Sequence, residues 1–180
     1  MSINQLENGF NVYLDDETED DAYTLHKWFI ESEPERMSCR PIEIFDIDEL
    51  LRRFNKKKES GFIHTFAVRR ISDSKLLGRT TYFDHNRRNG AVEIGFMFAK
   101  KYRRMGYGTE TLTLLLRHLF DDLGMRKVMA QTAEFNKGSV ALLKKMGFKQ
   151  DGCLREHHEL NGVYHNDLLF SLLSDEFISQ

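Results

Sequence analysis

Arg103-Arg104-Met105-Gly106-Tyr107-Gly108 is the stretch from which the fold is read. Before it, Ala91–Ala99 reads as a strand. After it, Leu112, Leu115, Leu116, Leu119 and Leu123 recur at helical spacing, ended by Gly124. Two glycines between a strand and a helix let backbone come close to a ligand. The first helical turn carries unpaired N–H groups, and its dipole favours negative charge there. The turn therefore suits a pyrophosphate, with Arg103 and Arg104 adding positive charge. A Walker loop is excluded because Gly-Lys-Ser/Thr is absent. Thr111 stands where a dinucleotide fingerprint needs its third glycine. The other reading of this stretch is a plain helix start with surface arginines.

Upstream, Phe62–Ile71 and Leu76–Asp84 read as strands joined by the turn Ser72-Asp73-Ser74-Lys75, and Asn86–Gly90 turns into Ala91–Ala99. Phe10–Leu14 reads as a first strand. The acidic run Asp15–Asp21 leads into a helix with Ala22, Leu25 and Phe29 on one stripe and Trp28 alongside. Pro34 and Pro41 bracket an irregular stretch. Asp46 then caps a helix carrying Ile47, Leu50, Leu51 and Phe54 and ending in Lys56-Lys57-Lys58. Downstream, Val128–Ala133 reads as a short strand. Asn136 caps a helix with Val140, Leu143 and Met146 inward and Gly147 as its stop. Gly152–Leu160 and Val163–Leu172 meet at Asn161-Gly162, a hairpin turn. The order is strand, two helices, three strands, helix, strand, helix, two strands, which predicts a mixed sheet with helices on its faces.

The chain has 180 residues, 41% of them apolar, which fits one domain over residues 1–180. With 26 basic and 28 acidic residues the net charge is −2, which argues against a broad nucleic-acid footprint. Lys56–Lys58, Arg87-Arg88 and Lys100-Lys101 are separate short clusters, read as solubility features. No apolar run is long enough to span a membrane, and the N-terminus does not read as a secretory signal. Cys39 and Cys153 form no disulfide framework and are expected as free thiols in a reducing cytoplasm. No Cys/His spacing suits zinc, so no metal is expected.

Val92-Glu93-Ile94-Gly95-Phe96, the glycine turn, Asn136-Lys137-Gly138-Ser139 and Lys145-Met146-Gly147-Phe148 follow one another in an order that resembles the GNAT superfamily of N-acetyltransferases. Gly152-Cys153-Leu154-Arg155-Glu156 and Asn161-Gly162-Val163-Tyr164-His165-Asn166-Asp167 are similar to its RimJ/RimL-like branch. The resemblance spans roughly residues 10–173 and is thinnest over the first 60. It implies the GNAT fold: an α/β (α+β) architecture whose mixed, mostly antiparallel sheet has about seven strands, helices on both faces and a splayed parallel pair. It also implies acetyl-CoA as donor and direct transfer of acetyl to an amine acceptor, either a small molecule or a protein N-terminus. A homodimer is a possible assembly. In the family the glycine turn binds the pyrophosphate, here through Arg103, Arg104, Met105, Gly106, Tyr107, Gly108 and Thr109. The pantetheine arm lies between the splayed strands, which would bring it to backbone groups of Phe96, Met97 and Phe98, as in strand addition. Asn136 is expected near that arm, or it is only a helix cap; both readings are compatible.

A protonated amine must lose a proton before it attacks, and positioned acid–base groups help such steps by about 10²–10⁴-fold. Glu93 is the first candidate base. An acid inside so apolar a strand is costly unless paired, hydrated or functional. The family often uses a strand carboxylate here, through water. The alternative is a structural Glu93 paired with Arg79. Ser139 matches the residue proposed as acid to the leaving thiol in the RimL-like branch, or it is a first-turn serine serving helix N–H groups. Leu143 stands where polyamine acetyltransferases of the superfamily have a tyrosine, a departure from that group. His157 and His158 point to opposite faces of a strand. His158, matching a glutamate of RimL-type enzymes, is the fallback base, or a surface or core-edge histidine. Asp15, Asp16, Glu17, Glu19, Asp20 and Asp21, with Glu31, Glu33 and Glu35, flank the first helix in a region that walls the family's acceptor site. They would suit a cationic acceptor, or they are a solvated helix start.

Overall fold

The computed structural model describes residues 9–31 and 43–177. Glu33, Pro34, Glu35, Cys39 and Pro41 lie outside the described residues. The elements are β1 (Val12–Asp16), α1 (Glu19–Glu31), α2 (Ile47–Ser60), β2 (Ile63–Arg70), β3 (Leu76–Asn86), β4 (Ala91–Phe98), α3 (Tyr107–Arg117), β5 (Lys127–Ala133), α4 (Lys137–Lys145), β6 (Lys149–Leu160) and β7 (Val163–Leu173). Their order is the expected one. β1 begins at Val12 rather than Phe10 and takes in Asp15 and Asp16, because its pairing with β2 runs from Val12↔Arg70 to Asp16↔Phe66. The α1 cap is Thr18, which the sequence reading did not name. Its hydroxyl accepts from Asp21 N–H at 3.2 Å, and the Asp21 carboxylate accepts from Thr18 N–H at 3.0 Å, a reciprocal box. Asp46 caps α2 as expected, accepting from Glu49 N–H at 2.8 Å.

The seven strands form one sheet in the order β1-β2-β3-β4-β5-β7-β6. Every neighbouring pair is antiparallel except β4 and β5. Directly opposite residues share a face, so register assigns the faces. Leu14, Val68, Tyr82, Ile94, Val128 and Leu172 lie on the α3 face and are buried. There they meet Leu112, Leu115, Leu116 and Leu119, all 0% exposed. Burying one such leucine stabilises by about 1.5–3 kcal/mol. Leu123, expected on the same stripe, is 39% exposed. After Arg117 the chain makes a π-helical turn over His118–Asp122, and its wider winding carries Leu123 off the stripe. α4 joins the core through Leu143, at 1% exposure, with Val140, Leu142 and Met146 packed alongside.

The opposite face carries Arg69, Arg79, Glu93, Met97 and Met129 at matching register positions. α1 and α2 pack against each other and touch β2 and β3. Among the described residues no helix is long and apolar enough to cross a membrane.

Candidate functional site

The parallel pairing of β4 with β5 covers only Ala91↔Lys127, Val92↔Val128 and Glu93↔Met129. Yet β4 runs on to Phe98 and β5 to Ala133. Beyond Glu93 the two strands part, and each keeps its outer neighbour: β3 for β4, β7 for β5. The gap between them is lined by unpaired strand edge, which is what an extended ligand needs in order to add as a strand.

Alternation decides which peptide groups face the gap. Gly95 C=O accepts from Thr80 Oγ1 at 3.1 Å, and Ala99 N–H donates to Leu77 C=O at 3.1 Å, so both residues point their peptides toward β3. Gly90 C=O accepts from Arg126 and Lys127 N–H, on the β5 side. Ile94, Phe96 and Phe98 therefore turn their peptide groups toward the gap. Met97 does not, which corrects its expected backbone contact with the cofactor arm. Its carbonyl lies against Gly78 so closely that a Cβ there would sit 2.1 Å from it. Phe98 C=O is already taken by Arg103 Nε at 3.0 Å, and Ile94 adjoins the last paired position, Glu93↔Met129, leaving Phe96 as the residue with both groups in the open part of the gap.

That Arg103 contact ties the glycine turn to the end of β4. Arg104 at φ 62° and Gly106 at φ 89° both adopt left-handed backbone, and Gly106 is the N-cap of α3. A Cβ on Gly106 would touch nothing within 4 Å, so its glycine answers to backbone conformation and access. Gly108 answers to packing, because its Cβ would lie 3.0 Å from Leu142 of α4. Met105 is 57% exposed, whereas the Tyr107 side chain is buried at 9%. Tyr107 can thus offer only its backbone N–H to a ligand. Thr109 N–H is engaged with Gly106 C=O, and Thr109 Oγ1 accepts from Lys145 Nζ at 3.2 Å. Lys145 therefore brings a cation to the first turn of α3. It lay inside a quoted motif, but spacing alone gave no sign that α4 returns to this point.

Asn136 Oδ1 accepts from Ser139 N–H at 3.1 Å, so the cap is made by Asn136 and the Ser139 hydroxyl does not supply it. Leu143 is core, with no room for a polar role.

On the α1/α2 face, Glu93 is half-buried, opposite Phe83 on β3 and Met129 on β5, at the apex of the gap. Arg79, its expected structural partner, is opposite Met97 instead and lies 4.0 Å from Glu17. Three of the six acids in Asp15–Asp21 meet arginines, while Asp16, Glu19 and Asp20 are exposed. Arg69 reaches Asp21 at 2.6 Å and Asp15 at 3.2 Å. Glu17 is 6% exposed, and burial, outweighing Arg79, raises its pKa above the ordinary carboxylate value. Lys57 of α2 is held down to about 8, chiefly by burial and then by Arg79. Asp15, Glu17 and Asp21 are thus drawn into an ion-pair network, while Asp16, Glu19 and Asp20 stay on the surface, as in a solvated helix start.

His157 is exposed and His158 is buried at 4%, on opposite faces as expected. His158 is not a surface residue: its Nδ1 lies 3.5 Å from Asp167 Oδ1, and Asp167 is 0% exposed. Phe135 packs edge-on against His158 at 4.9 Å between ring centres. Asp167 and Gln131, which donates to Asp167 at 2.8 Å, were not singled out from the sequence. A signal existed: Asp167 precedes Leu168-Leu169-Phe170, an acid in an apolar strand just as Glu93 is. Among the described residues no cluster of three or more His, Cys, Asp or Glu is placed to hold a metal ion.

Against known families, residues 11–149 match the acetyltransferase (GNAT) domain. The chain belongs to the GNAT family. GNAT acetyltransferases use acetyl-CoA. Among curated GNAT relatives, the SPbeta prophage-derived uncharacterized N-acetyltransferase YokL of Bacillus subtilis is 31% identical over 59% of this chain and 60% of its own length. YdaF of the same organism, provisionally named a ribosomal N-acetyltransferase, is 29% identical over 59% of this chain and 58% of its own. The chain thus spans about three-fifths of the length of these relatives. Among solved structures, spermidine N-acetyltransferase of Vibrio cholerae in complex with CoA and spermine superposes with a TM-score of 0.85 at 20% identity, covering 92% of this chain and 97% of that one. At that identity the likeness speaks for the GNAT fold alone.

Proposed function

We propose that this chain is an acetyl-CoA-dependent N-acetyltransferase of the RimJ/RimL-like branch, acting on a primary amine in a ternary complex. The observation that carries this reading is the opening of β4 from β5 directly before a glycine-capped helix. The residues fit the donor. Free peptide groups of Phe96 border the gap. The N–H groups at the start of α3, with Arg104 and Lys145 beside them, suit a diphosphate. When bound, acetyl-CoA would supply the acetyl group as a thioester. A backbone N–H of β4 facing the gap would polarise its carbonyl. Glu93 at the apex, on the opposite face from α3, would take the amine proton, through a water, and His158 is the alternative base. Ser139, in the first turn of α4, would return a proton to the thiolate.

For the acceptor we favour an amine with one positive charge, such as a protein N-terminus, over a polyamine. Arg69 and Arg79 already engage Asp15, Asp21 and Glu17, the inward acids of the α1/α2 face, and Leu143 gives the polyamine group's tyrosine no counterpart. The competing polyamine reading draws on the spermine-bound structural neighbour. A cytoplasmic setting fits the free, exposed Cys153 thiol. The test is thiol release from acetyl-CoA with a panel of peptides, polyamines and amino sugars. Turnover with peptides above polyamines supports the reading, and polyamine turnover overturns its acceptor half. CoA binding without turnover on any amine would make the protein an acyl-CoA sensor.

A further inference from the structure

Asp167 is fully buried in β7, yet the proton-handling scheme above does not use it. One carboxylate oxygen, Oδ2, accepts from Gln131 Nε2 at 2.8 Å. The other, Oδ1, faces His158 Nδ1 at 3.5 Å, and neither of those two buried atoms has a hydrogen-bond partner. A buried carboxylate with one hydrogen bond carries a desolvation penalty unless charge nearby compensates it. An acid kept in so apolar a strand is therefore a candidate for a role beyond packing.

Register shows what the acid reaches. Ala133 is opposite Asp167, and Met129 is opposite Glu93, so Met129, Gln131 and Ala133 share the Glu93 face. Parallel pairing ends at Met129. Gln131 is therefore the first β5 side chain on that face beyond the apex, bordering the gap where an amine must approach. His158 comes to Asp167 through a bulge. β6 pairs Leu154 with Asp167 but His158 with His165, so extra β6 residues bow out between them. Asn166 holds the bow by accepting from Glu156 N–H at 3.0 Å, and Glu134 holds Asn166 through its N–H and its side-chain amide. Phe135, between Glu134 and the Asn136 cap, packs on both His158 and His165. One buried pair thus supports a side chain beside the acceptor and the loop that leads into Asn136.

We propose that Asp167 is a positioning residue for acetyl transfer: it fixes the Gln131 carboxamide beside the acceptor's path, with His158 as its buried counter-group. This rests on the N-acetyltransferase reading. The test is a double-mutant cycle of Asp167→Ala and Gln131→Leu, read in kcat and acceptor KM with the best amine of the panel, in CoA affinity, and in Tm. Each single change should lower kcat/KM for the acceptor by about 10–100-fold, since small misplacements of a reactant carry penalties of that size. The double variant should be no worse than either single one, and CoA affinity should stay at the wild-type value. Asp167→Asn, which keeps an oxygen for Gln131 to donate to, should recover much of the loss. A purely structural Asp167 would lower Tm and leave the kinetics of folded enzyme unmoved, which overturns the proposal. If Asp167→Ala does not fold, Gln131→Leu decides, because it leaves the buried pair intact: full activity in that variant sinks the idea. Wild-type protein that binds CoA but acetylates nothing rejects both readings, whereas wild-type turnover with unaffected variants rejects this one alone.

Discussion

Around the start of α3, the groups on offer are peptide N–H groups, glycines and the edge of β4. On the other face of the sheet, between α1, α2 and β6–β7, they are side chains held in ion pairs and buried polar contacts. In the proposed reading the first region meets a donor of constant chemistry, which a rigid backbone cradle would serve. The second would meet the acceptor, and its chemistry could change by exchanging side chains without moving a strand. The comparison predicts that damage to the first region removes cofactor binding outright, while damage to the second separates acceptor turnover from cofactor affinity.

The largest effect should come from Gly106→Val. At φ 89° a branched side chain is strained, and it would also stand where the phosphates approach. CoA affinity should fall by roughly 100-fold or more, a loss of about 2.7 kcal/mol, while Tm falls only by the backbone strain and not by a clash, because a Cβ there touches nothing within 4 Å. Gly108→Val should lower affinity and Tm together, since its Cβ meets Leu142 at 3.0 Å. Calorimetric titration with CoA and a thermal melt separate the two. Native affinity in the Gly106 variant would mean that the cradle lies elsewhere.

Next is Glu93→Gln, which keeps shape and removes a base. We expect kcat to drop by about 10²–10⁴-fold with CoA affinity intact. Partial recovery at high pH should follow, where more acceptor is already deprotonated. A nearly normal kcat at neutral pH, beside an inactive His158→Gln, would transfer the base to His158. If both variants stay active, bulk water takes the proton and the enzyme works by positioning its two reactants.

The two regions were also unequally legible. Ala91–Ala99, the glycine turn, the Asn136 cap and the Asn161-Gly162 hairpin are local signals, and local propensity agrees with the fold at each. Met97 was misassigned because a motif names residues without saying which way a peptide group points. The acceptor face was harder because its contacts are long-range. Arg79 joins Glu17 across the sheet rather than Glu93 on the neighbouring strand, and only register decides that. The pairing of His158 with Asp167 depends on a bulge that no composition or period announces. Thr18-Glu19-Asp20-Asp21 could have been read as a capping box had Asp been accepted in the place of Glu.

A smaller effect tests how α4 serves the cradle. Lys145→Ala removes the cation at Thr109 and should weaken CoA binding several-fold, more at low salt than at high. Arg103→Ala should weaken it comparably with less salt dependence, because Arg103 also holds the Phe98 carbonyl. Equal salt slopes for wild type and Lys145→Ala would remove Lys145 from the phosphate site.

The smallest effect concerns stability on the acceptor face. Lys57 is held down to about 8 against an ordinary 10.5, by burial first and Arg79 second, with Glu17 opposing. The fold therefore disfavours its protonated form. Below about pH 8 both folded and unfolded chains carry the proton, and the destabilisation is fully present. Between about 8 and 10.5 the folded chain releases the proton first, and stability from this group rises with pH. Above that window neither state is charged, and the penalty is gone. Lys57→Met removes the charge and keeps the apolar stem, so it should raise Tm at pH 7 by a few degrees, at about 2–4 °C per kcal/mol for a chain of this size. The gain should shrink steadily through the window. Melts at pH 7, 9 and 10.5 measure it. A gain that is constant across them would show that packing alone accounts for it. A loss at pH 7 would show that the attraction between Lys57 and Glu17 outweighs burial, and that this face is held together by the ion pairs that neutralise it.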